Sequence, residues 1–137
     1  MSGIDATLTD FLHDAMPFAG VLGIEVVSAD SEAVIAEVSW AADRCTSGGI
    51  LHGGYLMAVA DTLGGALAMY NLPPGAGTAT IESKTNFLRA APAGTYTATA
   101  TAIHVGRTTI VAQTDITRAD GKLVTRTTQT QAVIPAG

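Results

Sequence analysis

The sequence has a single cysteine, Cys45, among 137 residues. That excludes an internal disulfide and fits a reducing, cytoplasmic compartment. A plain buried or half-buried thiol is the first reading of Cys45, ahead of a nucleophile. Lys and Arg are missing altogether from residues 1–43, which hold eight acids: Asp5, Asp10, Asp14, Glu25, Asp30, Glu32, Glu37 and Asp43. All seven bases fall in residues 44–137 beside only four acids, and the whole chain carries a net charge of −5. An acidic chain is a poor nucleic-acid binder. The locally positive second half suits a small anionic ligand, although an uneven solvated surface explains it equally well.

Other signals are missing too. The start, Met1-Ser2-Gly3-Ile4-Asp5-Ala6, has no basic region followed by an apolar run and does not read as a secretory leader. The one long apolar stretch, residues 54–71, is 18 residues long, the lower limit for a membrane span. It is interrupted by Asp61 and Gly64-Gly65 and lacks flanking basic or aromatic anchors. It reads instead as a helix buried on nearly all faces. His13, His52 and His104 lie too far apart for a metal-ligand spacing, so no metal or cofactor is implied. Ser47 has no nucleophile-elbow context, and no glycine run matches a phosphate loop. There is no linker and no repeat; with 47% hydrophobic residues, the chain reads as one domain with a sizeable core.

What is present is concentrated in Gly48-Gly49-Ile50-Leu51-His52-Gly53-Gly54, which runs directly into the apolar helix carrying Asp61. A helix start offers unpaired N–H groups and a positive dipole end, suited to an oxyanion or a polarised carbonyl. A carboxylate inside an apolar helix is either paired in space or kept for chemistry.

Around this motif the periodicities predict a short amphipathic helix over residues 8–16, capped by Thr7 or Thr9 and ended by Pro17. Two strands follow, residues 22–28 and 33–40, joined through Ala29-Asp30-Ser31. Residues 41–51 form a loop, and the long helix stops at Pro73-Pro74-Gly75. The rest is strand. Residues 78–89 place Ile81, Ser83, Thr85 and Phe87 on one face and Thr80, Glu82, Lys84 and Asn86 on the other. Residues 95–105 turn at Gly106-Arg107, and residues 108–117 and 122–134 make a hairpin with a primed-turn sequence at Ala119-Asp120-Gly121. The class is α+β: one antiparallel sheet wrapped around one helix, with small Thr and Ala side chains allowing the curvature. Such a sheet leaves edges, so pairing with a second copy is expected.

Gly53 and Asp61 are eight residues apart, a helical rise of about 12 Å. That is too far for both to act on one carbonyl in one subunit. A shared site, with His52 and Gly53 from one chain and Asp61 from its partner, satisfies the distance. Gly64 and Gly65 imply close backbone approach, for which helix-to-helix dimer packing is the expected reason. Structural readings stand beside these: a tight loop for Gly53 and Gly54, a backbone-bonded loop histidine for His52, a structural cap or bridge for Asp61. Tyr55, Leu56, Met57 and Leu63 suit the lining of an apolar tunnel or simple core packing.

Taken together, His52-Gly53-Gly54, Ala60-Asp61-Thr62-Leu63-Gly64-Gly65 and Ile81-Glu82-Ser83-Lys84-Thr85-Asn86-Phe87-Leu88-Arg89 resemble the hotdog-fold acyl-CoA thioesterases of the phenylacetic-acid-degradation type. The likeness extends over residues 18–134 and includes Gly106-Arg107 and the Asp120-Gly121-Lys122 turn. It implies a hotdog fold, no cofactor, and hydrolysis of small, medium or aryl acyl-CoA. It also implies a homodimer with shared sites, assembled further as a dimer of dimers. The Gly53 N–H would polarise the thioester carbonyl. Asp61 of the partner would be nucleophile or general base. His52 would orient the thioester or the loop, and Thr80 would position water or Asp61. Gly54, Thr46 and Thr62 would contact substrate, and Lys84, Arg89 and Arg107 would meet the CoA phosphates. The family often has Asn or Gln six residues before this histidine, where this chain has the shorter Thr46. A non-catalytic acyl-CoA binder or sensor on the same fold is the alternative. A hotdog hydratase is disfavoured, because those enzymes use a different His/acid pattern along the helix.

Overall fold

The computed structural model describes residues 3–137, so the first two residues of the stretch read above for a leader lie outside it. Helix α1 (Ala6–Ala15) is capped by neither Thr7 nor Thr9 but by Asp5, whose side chain accepts from the Leu8 N–H at 2.9 Å. The expectation failed because Thr9 is engaged elsewhere. Its hydroxyl donates to the Asp5 carbonyl and accepts from the Val26 N–H at 2.8 Å, tying the helix to the first strand. Nor does Pro17 end the helical region; it opens a second short helix, α2 (Pro17–Leu22). At a first helical position the missing N–H costs nothing and the fixed φ is already helical. Gly23 closes α2 with φ 72°, so β1 (Glu25–Ala29) starts three residues later than the periodicity suggested.

Strand β2 (Ala33–Ser39) leads through two 3-10 turns, Ala42–Arg44 and Ser47–Gly49, into the long helix α3 (Gly53–Met69). Four strands complete the chain: β3 (Gly77–Phe87), β4 (Thr95–Val105), β5 (Thr109–Arg118) and β6 (Leu123–Ile134). They form one antiparallel sheet in the order β1-β2-β4-β5-β6-β3. Helix α3 lies against β2 through β6, the one-helix, one-sheet wrapping that the sequence predicted. Val59, Leu63 and Leu67 are fully buried under the sheet, and the side chains that meet the helix are small: Ala36, Ala98, Ala100 and Ala112, all fully buried. Small facing residues let a backbone sit close to a helix. Among the described residues no helix is long and apolar enough to cross a membrane.

The β5–β6 hairpin is not a primed turn. Only Gly121 has positive φ, at 85°, and the Gly121 N–H returns to the Arg118 carbonyl at 2.8 Å. This is a type I turn closed by a left-handed glycine, the three-residue hairpin geometry. Asp120 in that turn pairs with Arg118 at 2.6 Å. The Arg118 hydrogen bond, helped by the Lys122 N–H, holds the Asp120 carboxyl at about 2 rather than 3.8.

Two measurements check this account. Leu67→Ala should lower unfolding free energy by about 2–5 kcal/mol, read from the urea midpoint, because it opens a cavity where the helix meets the sheet. Asp120 has a folded pKa below its unfolded one, so its contribution is present above about pH 4 and is lost as pH falls through about 2. Asp120→Asn should therefore flatten that part of the acid-unfolding curve.

Candidate functional site

The start of α3 is built by its own motif. His52 is the N-cap, with extended backbone, and its Nδ1 accepts from the Gly54 N–H at 2.8 Å. An accepting Nδ1 places the ring proton on Nε2. The histidine thus satisfies one of the orphan donors of the helix start, and Leu56 donates to the His52 carbonyl at 3.2 Å. The Gly53 N–H meets no acceptor among the described residues. Each glycine has its own steric reason. A Cβ on Gly53 would sit 3.1 Å from the Phe87 ring, and one on Gly54 would sit 3.0 Å from His52 Nδ1.

Two clefts flank this helix start. One, of about 480 Å³, is lined by Thr46, Gly53, Leu56, Phe87, Leu88 and Arg89. The other, of about 520 Å³, is lined by Phe18, Val21, Arg44, Cys45, His52 and Tyr55. Arg44, which the sequence reading passed over, stacks its guanidinium 5.3 Å from the Tyr55 ring centre and donates to the Ser39 carbonyl. Tyr55 donates to the Leu22 carbonyl at 2.6 Å, and burial pushes its phenol up, with Arg44 opposing. Tyr55 and Leu56 therefore face different clefts, while Leu63 belongs to the core.

Asp61 is exposed in the protomer rather than buried, at the margin where α3 meets β3 and β6. Thr80 Oγ1 donates to its Oδ1 at 3.2 Å and Gln129 Nε2 donates to the same oxygen at 3.1 Å. Oδ2 has no partner among the described residues. A β-bulge makes this arrangement possible. The β3–β6 register slips between Thr80 and Glu82, so Thr80 pairs with Gln131 while Ser83 pairs with Gln129. One extra residue reverses the parity of the strand. Thr80 thereby joins the face of Ser83 and Thr85, and Ile81, expected on that face, is 59% exposed.

The remaining predicted contacts do not converge within one chain. Thr62 is half-buried and its hydroxyl donates back to the Ala58 carbonyl at 2.8 Å. Thr46 is exposed beside Gly53 in the first cleft. Arg89 lines that cleft as well, with one guanidinium nitrogen on the Leu123 carbonyl at 2.8 Å. Lys84 sits exposed in mid-strand on β3. Arg107 lies in the β4–β5 turn, beside the Thr109–Ala132–Ala79 end of the sheet. From Ala79 to Phe87 the strand extends about 26 Å, so the three bases are spread along the molecule.

Gly64 corrects another expectation. Its missing Cβ makes room for Gln129 of the same chain, whose Oε1 would lie 2.0 Å from a Cβ at that position, rather than for a partner helix. Gly65 faces the Met16 methyl at an ordinary 3.7 Å. Gln129 and Gln131 were not singled out from the sequence. A signal was available: Thr125, Thr127, Gln129 and Gln131 alternate as polar residues on what the sheet makes the buried face of β6.

The thioesterase superfamily model matches residues 48–125, more than half the chain, including the His52–Asp61 segment and the Thr80 strand. The chain belongs to the thioesterase superfamily, and its fold is the hotdog fold. A 1,4-dihydroxy-2-naphthoyl-CoA hydrolase of Listeria monocytogenes is 31% identical over 103 residues, covering 75% of this chain and 84% of that protein. A thioesterase from Haemophilus influenzae superposes with TM-score 0.86 at 29% identity, over 94% of this chain and 89% of that one. The PaaI protein of the Escherichia coli phenylacetic acid degradation operon superposes with TM-score 0.83 at 25% identity, over 93% of this chain and 91% of that one.

If His52 holds the helix start as described, His52→Ala should cost about 0.5–2 kcal/mol of stability while His52→Asn, which caps well, recovers most of it. Thermal unfolding of the two variants measures the difference.

Proposed function

We propose that this protein hydrolyses acyl-CoA thioesters of small, medium or aryl acids, releasing the free acid and CoA at sites shared between two copies of the chain. The observation that carries this reading is a complementary pair on one helix. The Gly53 N–H, at the helix start, has no acceptor among the described residues. Asp61 has an unengaged carboxylate oxygen eight residues on, about 12 Å away.

An N–H at a helix start, reinforced by the dipole, suits the oxygen of a thioester carbonyl as it gains charge. A carboxylate with one oxygen anchored and the other unengaged suits proton abstraction from water, or attack on the carbonyl carbon itself. The two cannot reach one carbonyl within a protomer, and a partner whose helix runs alongside closes the distance. The surface supports such a partner: β3 is a sheet edge, with Ile81 and Phe87 on it and Leu88 just past its end at least half exposed. Exposed apolar edge strands favour pairing. A further pairing of dimers is part of the same proposal.

Thr46 and Arg89 share the Gly53 cleft, which supports roles beside the thioester and toward the CoA phosphates respectively. Lys84 and Arg107 are proposed as outer phosphate contacts from the second copy or at the rim. The coenzyme A named for the Listeria hydrolase supports CoA as the thiol carrier.

The test is thiol release from a panel of acyl-CoAs. Asp61→Ala should lower turnover by about 10²- to 10⁴-fold, and Gly53→Pro, which deletes the N–H at a first helical position and also sets a Cβ against the Phe87 ring, should also be impaired. Dimers formed by mixing the two variants should regain activity, since one site of each mixed dimer is intact. Tight acyl-CoA binding without hydrolysis by the unmodified protein would overturn the enzymatic reading. Absence of recovery on mixing would overturn the shared site.

A further inference from the structure

Gln129 is fully buried on β6 and faces α3. Its Nε2 donates to Asp61 Oδ1 at 3.1 Å, while its Oε1 is a buried acceptor with no partner among the described residues. A buried acceptor left unpaired destabilises a fold, and an apolar side chain of the same volume avoids that loss. The orphaned oxygen follows from the direction of the amide. Turning the amide over would set Oε1 against a carboxylate oxygen, two acceptors face to face. The glutamine therefore gives its donor to Asp61, and its acceptor is left in the space that Gly64 opens, 2.0 Å from where a Cβ would stand.

A second glutamine on the same face feeds the same oxygen. Gln131 Nε2 donates to Thr80 Oγ1 at 2.7 Å, and Thr80 donates onward to Asp61 Oδ1 at 3.2 Å. Thr78 Oγ1 lies at the other end of that amide, its one proton shared between Gln131 Oε1 at 3.0 Å and the Ala132 carbonyl at 2.8 Å. Because Thr80 receives the Gln131 donor, its own proton points at Asp61. Two independent donors thus converge on Oδ1 and leave Oδ2 unengaged among the described residues.

We infer that Gln129 is a positioning residue for thioester hydrolysis: it locks Asp61 in one orientation, with Gly64 supplying the space for its amide and the Gln131–Thr80 relay bracing the same oxygen. The inference rests on the proposed role of Asp61. It needs no contact between Gln129 and substrate.

Gln129→Met keeps the volume and removes the donor; Gln129→Glu keeps the shape and sets an acceptor against Asp61. With the purified full chain and an acyl-CoA that it turns over, both variants should lose kcat by about 10- to 100-fold. KM should stay within about twofold, and the melting temperature of Gln129→Met should match or exceed that of the parent protein. Gly64→Ala, which displaces the amide without altering it, should show the same selective loss. Combining it with Gln129→Met should add no further loss, as expected for two changes that act on one contact. A folded Gln129→Met or Gln129→Glu with the parent kcat overturns the inference, as does a kcat that falls only in step with the folded fraction. Asp61→Asn separates the layers. If it is inactive while Gln129→Met is fully active, the positioning role fails and the role of Asp61 stands; if Asp61→Asn is itself active, the reading beneath both fails.

Discussion

The approach of the α3 backbone to the sheet is the constraint on which the rest of this molecule depends. Ala98, Ala100 and Ala112 on the neighbouring strands, together with Gly64 on the helix, bring the two layers close enough for a β6 side chain to reach the helix flank. Asp61 lies on that flank, one turn before Gly64. A bulkier residue at 64 would push the Gln129 amide away, and the carboxylate would lose an anchor without any change at position 61. The geometry of the candidate site is therefore a consequence of packing density as much as of residue identity.

The same strand shows a tension between stability and use. An inner face of Thr125, Thr127, Gln129 and Gln131 is costly beside the aliphatic inner faces of β2 and β4, and among the described residues Thr125, Gln129 and, on β5, Thr114 keep unpaired buried oxygens. Some of this polarity is satisfied across the edge, as in the 2.7 Å contact between the Thr85 and Thr127 hydroxyls. What the fold gains is a set of donors that approach the helix from the interior, where side chains are held in place by packing. Donors on a solvated loop would not stay aimed at one carboxylate oxygen.

Much of this was legible in the residue order. The strand succession and the small-residue strands led to one helix wrapped by one sheet, and the His52–Gly54 motif marked where that helix starts. They did so because binary pattern and helix-start chemistry are local properties. The parts that were not legible depend on contacts between distant segments. The bulge beside Ile81 inserts one residue into β3 and reverses its faces, which strict alternation cannot anticipate. Gly64 looked like a site for a second helix because its true neighbour, Gln129, lies 65 positions downstream. Thr9 looked like a helix cap because its bond to Val26 is invisible before the strand is placed. Pro17 was misread for a local reason: after a helical run, proline is consistent with a stop and with a new first turn alike.

The exposed edge strand connects assembly to chemistry more directly than an ordinary interface would. Phe87 stands at the end of β3, half exposed, and its ring also packs where a Cβ on Gly53 would be. At the other end of the same strand, Thr80 holds Asp61. One element therefore touches both the helix start that offers the N–H and the carboxylate proposed to act from a second copy. A partner pairing along β3 would set the position of both halves at once, so the dimer proposed here is not merely a way to cover Ile81, Phe87 and Leu88. Through Phe87 it would also fix how far the Gly53 N–H stands from the edge it shares with its neighbour. On this view the glycine at position 53 answers two demands, a bare donor for the carbonyl oxygen and space for the ring that links that donor to the subunit boundary.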